Sequence, residues 1–145
     1  MSQSRWENAA VELLTEVSIL GALISTRIDE TEPVGLNECR LSILMILSRN
    51  EVIGMKRAAL EWTLEDSEPS VAIEIDTVIE LGLVSVSGDD LLQITALGRD
   101  TLDGAIRALM PQFEPALQDV PIEAMTQAME VVREIRRTLD NLPAE

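Results

Sequence analysis

The segment from Met55 to Arg99, MKRAALEWTLEDSEPSVAIEIDTVIELGLVSVSGDDLLQITALGR, limits the possible folds more than any other part of the chain. Met55 to Leu64 has a helical pattern, with Ala58, Ala59, Leu60 and Trp62 as packing candidates, and Asp66 to Pro69 is a turn. A second helix runs from about Pro69 to Leu81. Pro69 is tolerated in a first helical turn with Ser67 or Glu68 as cap, and Val71, Ile75 and Val78 share one face. Gly82 stops this helix. Leu83 to Ser87 alternates as a strand does, Gly88-Asp89-Asp90 is a tight turn, and Leu91 to Thr95 is the returning strand. Thr95 then caps another helix. From Ala58 to Gly98 there is no Lys or Arg, whereas Glu61, Glu65, Asp66, Glu68, Glu74, Asp76, Glu80, Asp89 and Asp90 are acidic.

Helices flank this segment. Ser4 to Ile28 carries Ala10, Leu13, Leu14, Val17, Leu20, Ile24 and Ile28 at steps of three and four, and Val11, Ile19 and Leu23 broaden the apolar face. A helix so apolar is expected to pack against more than its own domain. Asp29 to Gly35 is a loop broken by Pro33 and Gly35. Asn37 caps the next helix, which runs to about Arg49 and buries Cys39, Ile43, Leu44, Ile46 and Leu47. Arg40 stands at its third position, where a capping box has Glu or Gln. After the central segment, Ala96 to about Gln112 is helical, with Leu97, Leu102, Ile106 and Leu109 along it. Pro111, Pro115 and Pro121 bracket a less regular stretch around Phe113 and Leu117. Ile122 to Leu142 forms the last helix, with Ala124, Met125, Ala128, Met129, Val132, Ile135 and Leu139 at helical spacing.

With 145 residues and 46% hydrophobic side chains, the chain suits a single domain with a core that is almost wholly aliphatic. Its formal charge is −15, from 26 acidic and 11 basic residues. Such a surface repels phosphate at long range, so nucleic acid would need a local basic patch, and a basic partner is the more favourable one. A plain solvated acidic surface that maintains solubility is the simpler explanation. Cys39 is the sole cysteine and reads as a small core residue, which leaves a reducing cytoplasm as the default compartment. The chain has no histidine, which removes His-based acid–base catalysis and His-containing metal sites. No apolar run approaches a membrane span and no N-terminal signal is visible. Asp89-Asp90 and Glu65-Asp66 read as exposed turn residues. No phosphate loop, Cys-x-x-Cys or Ser-His pairing is present, so neither an enzyme, a metal nor a cofactor is expected.

The element order is that of a winged helix-turn-helix: mainly α, with a small β-hairpin and long helices at both ends. Three stretches carry a closer resemblance. GLNECRLSILMILSRN looks like the second helix of the MarR family of bacterial transcription regulators. Val78-Ile79-Glu80-Leu81-Gly82-Leu83-Val84 is similar to the end of that family's recognition helix and the turn into its wing. Leu92-Gln93-Ile94-Thr95-Ala96-Leu97-Gly98-Arg99 is close to its join between wing and fifth helix. The resemblance covers nearly the whole chain. It implies one domain, residues 1–145, with a winged core over 36–98 and dimerisation helices over 4–28 and 96–142. It also implies a homodimer whose paired winged modules reach adjacent major grooves. The family's small-molecule pocket, between dimerising helices and winged module, would be lined here by Trp6, Trp62, Met45 and Met55.

The residues depart from that family where DNA would be met. The recognition helix offers Ser70, Ala72, Ile73, Glu74, Asp76, Thr77 and Glu80, and the short wing ends in Gly88-Asp89-Asp90. If DNA is bound, Arg40, Arg49, Lys56 and Arg57 are the phosphate contacts and Ser70 and Thr77 lie nearest the bases. If it is not, Ile73, Glu74, Asp76, Glu80, Asp89 and Asp90 form a face for a basic protein partner, in the manner of an antirepressor or a DNA mimic. Ile73 has two readings: it closes a gap to a neighbouring helix, or it is an exposed apolar spot on an acidic face. A homodimeric, cytoplasmic regulator with weakened or absent DNA binding accommodates these features, and a purely structural dimer module is the third reading.

Overall fold

Helix α1 (Ser2–Thr31) opens the chain and runs 30 residues. After a short 3-10 turn at Pro33–Gly35 comes α2 (Glu38–Arg49). The strand β1 (Met55–Lys56), α3 (Arg57–Leu64), α4 (Val71–Glu80), β2 (Val84–Val86), β3 (Leu91–Ile94), α5 (Ala96–Leu117) and α6 (Ile122–Asp140) follow. This computed structural model describes residues 2–49, 53–64 and 71–140. Two units form separate clusters, Met1–Met110 and Pro111–Glu145. The expected turn at Asp66–Pro69, with its cap at Ser67 or Glu68, lies outside the described residues.

The core of the first unit is built on α2. Asn37 caps it through Oδ1, which accepts the Arg40 N–H at 2.8 Å, and Asp29 accepts the Glu38 N–H at 2.9 Å. Two of the donors that a helix start leaves open are thereby satisfied. Cys39, Leu41, Ile43, Leu44 and Leu47 are buried, and α2 packs against α4 and β3. Four of those five were legible from the sequence; Leu41 replaces the half-buried Ile46. From α4, Val71, Ile75 and Val78 are buried as their spacing requires.

The two-stranded wing of the sequence pattern is a three-stranded antiparallel sheet in the order β1-β3-β2. Met55 opposes Leu92 and Lys56 opposes Leu91, so the pair expected to begin the third helix is an edge strand instead. Two residues carry no periodicity, and the neighbouring strand decides their state. In the short helix that remains, Leu60 and Leu64 are buried, whereas Ala58, Ala59 and Trp62 are exposed, against expectation. Eight residues make two turns, and one i, i+4 pair fills the inward side.

Helix α4 ends in a Schellman arrangement. The Leu83 N–H donates to Val78 O and the Gly82 N–H to Ile79 O, both at 3.0 Å, with Gly82 at φ 78. Thr95 closes the other side of this corner. Its N–H donates to Leu83 O at 3.0 Å, its hydroxyl donates to Gly82 O at 2.7 Å, and the same oxygen accepts the Gly98 N–H at 3.0 Å. A Cβ on Gly98 would sit 2.1 Å from Leu83 O. The Thr95-Ala96-Leu97-Gly98 spelling therefore follows from how closely α5 approaches the turn after α4.

Helix α5 continues through Pro111 and Pro115 to Leu117, where an irregular stretch was expected. Each proline removes one N–H, but the helix retains the bonds of its other residues. Helix α1 exposes apolar side chains around much of its circumference, including Val11, Leu14, Ile19, Leu20 and Leu23. By length and composition alone α1 also suffices to cross a membrane, with mean hydropathy 1.5, against the expectation that no stretch comes near a span. Glu12, Thr15, Glu16, Ser18 and Ser25 divide its apolar residues into short runs, which is why run length missed it.

The corner at Thr95 and Gly98 yields a direct test. Gly98→Ala is expected to destabilise the fold by about 3 kcal/mol or more, because the clash is with backbone. Thr95→Ala is expected to cost about 1–2 kcal/mol through the lost cap. Denaturant melts of the two variants, read by circular dichroism, check both the order and the size of these effects.

Candidate nucleic-acid interface

The solvent side of α4 is set by its buried side. With Val71, Ile75 and Val78 inward, Ala72, Ile73, Asp76 and Glu80 face outward, and Ile73 is 66% exposed. Of the two readings of Ile73, the structure selects the exposed one. Thr77 is half-buried, and its hydroxyl donates to Ile73 O within the same helix at 2.9 Å. Ser70, the other base-reading candidate, lies outside the described residues.

Glu74 does not share the outward face to which the sequence assigned it. It is 8% exposed and turned toward α2. Arg40 Nε meets its Oε2 at 2.9 Å, Arg40 Nη2 donates to its Oε1 at 3.4 Å, and Asn37 Nδ2 donates to its Oε2 at 2.6 Å. A carboxylate this buried requires a cation and full hydrogen bonding. Asn37 and Arg40 supply both from the first turn of α2. This pairing explains why Arg stands at a capping-box position. Arg40, which the sequence offered as a phosphate contact, is thus engaged with Glu74 in this structure. Asn37, read from the sequence only as a helix cap, also donates to Glu74.

Arg57 is held in the same way. Its Nε meets Glu61 Oε1 at 2.9 Å, its Nη1 meets Asp76 Oδ1 at 2.8 Å, and its Nη2 donates to Ala72 O at 3.1 Å. The hydrogen bond to Asp76, then that to Glu61, raises its pKa above the ordinary arginine value. For a cation with a raised folded pKa, the stabilisation is complete below the unfolded value and is lost only as pH climbs through the folded one. That window lies above the ordinary arginine range, so Arg57 stays charged at any pH suitable for a DNA assay. One guanidinium thus ties α3 to α4.

Of the four candidate cations, Arg49 and Lys56 are exposed and make no ion pair among the described residues. Arg49 closes α2, where a cation suits the negative end of the helix dipole. Lys56 sits on the edge strand beside the wing. Glu80, Asp89 and Asp90 are exposed and likewise without an ion pair among the described residues. The wing tip is a tight loop: the Asp90 N–H donates to Ser87 O at 3.1 Å, and Asp90 takes a left-handed φ of 57. Trp6 and Trp62 are both well exposed, on α1 and α3. Among the described residues no group of three acidic, Cys or His side chains converges in a way that would hold a metal.

No protein-family model matches this chain, and no curated protein matches it. Solved structures do. A MarR family regulator from Rhodococcus sp. RHA1 superposes with TM-score 0.63 at 19% identity, covering 87% of this chain and 94% of that one. One from Silicibacter pomeroyi gives 0.62 at 18%, covering 94% and 91%. One from Streptomyces coelicolor gives 0.58 at 20%, covering 93% and 98%. The architecture of MarR family transcriptional regulators is therefore shared along nearly the whole chain.

Removing one member of the buried pair at the α2–α4 seam is expected to be expensive. Glu74→Ala and Arg40→Ala should each destabilise by about 2–4 kcal/mol, and the double variant should cost less than the sum of the two. Urea melts of the three variants form the cycle. Additive losses would mean that the pair carries no coupling.

Proposed function

Taking the MarR-family architecture as its frame, we propose that this protein is a cytoplasmic, non-enzymatic transcription regulator that works as a homodimer and binds DNA directly only weakly or not at all. The observation that carries this is the occupation of Arg40 and Arg57 by Glu74, Glu61 and Asp76. Phosphate contacts position a reader on its duplex before any base is read. Of the four candidate cations, Arg49 and Lys56 are left for that task, against Glu80, Asp89 and Asp90, which make no ion pair among the described residues. A carboxylate brought to contact distance from a phosphate in solvent costs on the order of a kcal/mol, enough for several together to cancel non-specific affinity.

Dimerisation is proposed from the exposed apolar surface of the terminal helices, acting as arms on one winged domain. In α1, Leu20 and Leu23 are 57% and 60% exposed, and in α6 Met129 and Val132 are exposed as well. Exposed apolar helix surface of this extent is normally covered by protein.

Two measurements test the proposal. Fluorescence anisotropy with mixed-sequence duplex at low salt should give no binding in the ~10⁻⁴–10⁻⁶ M range usual for non-specific association. The triple variant Glu80→Lys, Asp89→Lys, Asp90→Lys should gain affinity by about tenfold or more, with a steeper salt dependence. Tight binding by the unmodified chain would refute weak DNA contact. Sedimentation should return twice the chain mass, and Leu20→Glu with Leu23→Glu should return a monomer. A monomer before substitution would refute the dimer.

A further inference from the structure

Resting on the proposal of weak DNA contact, we infer that the outward face of α4 and the adjoining wing tip dock a cationic protein segment carrying an apolar side chain that covers Ile73. Three observations lead there. First, the acidity is local: residues 58–98 hold nine carboxylates and no cation, within a chain whose total is −15. Second, Arg40 and Arg57 are paired with Glu74, Glu61 and Asp76, so Glu80, Asp89 and Asp90 have no ion-pair partner among the described residues, and of the four candidate cations Lys56 is left beside the wing. Third, Ile73 stands 66% exposed on the same side of α4 as Asp76 and Glu80. Set among Asp76, Glu80 and the wing-tip carboxylates, Ile73 forms an apolar centre with a charged rim, the ordinary anatomy of a protein interface.

Charge chooses the occupant. Duplex DNA, an anionic bilayer and a second copy of the same face all carry the wrong sign. A segment rich in Arg or Lys complements the rim and gains speed and selectivity from that complementarity. Its apolar residue against Ile73 supplies the desolvated centre in which binding energy concentrates.

The test uses the full-length chain, labelled for NMR, and a synthetic amphipathic helix of Arg and Leu residues. Titration should shift the amides of Ala72, Ile73, Asp76, Thr77, Glu80, Asp89 and Asp90. Ile73→Ser should weaken binding about tenfold or more while leaving the melting curve unchanged, because the side chain is already in water. A peptide with Leu replaced by Ser should lose a similar factor, and one with Arg replaced by Gln should lose binding. Glu12→Gln with Glu16→Gln, distant in sequence on α1, should change nothing. Equal affinity for the Ile73→Ser variant, shifts spread over carboxylates of α1 and α6, or the same amides moving with duplex DNA would each overturn the inference. The mass from sedimentation and the duplex titration report on the dimer and on DNA contact separately, so a failed peptide titration leaves those two results standing.

Discussion

A carboxylate folded into the seam between two helices sets the character of this molecule. Glu74 is buried against α2, where only a cation and an amide make its burial tolerable, and Arg40 and Asn37 provide them. The seam fixes the roll of α4, and so decides which side chains it shows to solvent. Arg57 adds a second clamp by joining Glu61 on its own helix to Asp76 and Ala72 O on α4. Both clamps take guanidiniums that reach α4 and bind them to carboxylates of the same chain. The scaffold is held firmly while its outer face is left anionic.

Much of the scaffold was legible because its constraints are local. Gly82 reads as a helix stop since it is free to take positive φ, and Thr95 as a cap since a hydroxyl there satisfies an open N–H. The Val71, Ile75 and Val78 spacing identified the inward side of α4. Other features were hidden because distant atoms decide them. Met55 and Lys56 are extended only because Leu91 and Leu92 lie alongside. Pro111 and Pro115 suggested an irregular stretch, yet α5 runs through both. Trp62 was a natural packing candidate by size, but two turns of helix left it on the outer side.

The candidate site shows the same division. Ile73 was open to either reading, and burial of its neighbours resolved it. Glu74 was placed outside with the other carboxylates because nothing in its own helix reveals an arginine 34 residues away. The one available hint was Arg40 itself, a cation where a capping box places an acid or amide. The architecture is shared with structures of MarR family regulators, and a shared fold does not by itself carry the chemistry of a site.

The central claim is that the surface around α4 is negative when the protein is folded and assembled. NMR relaxation enhancement by paired cationic and anionic paramagnetic cosolutes reads the local potential amide by amide. The cationic probe is expected to dominate at Ile73, Asp76, Thr77 and Glu80 and at the wing tip, Asp89 and Asp90. Stronger enhancement there by the anionic probe, continuous across Arg49 and Lys56, would reveal a positive saddle fit for a duplex and would contradict the account.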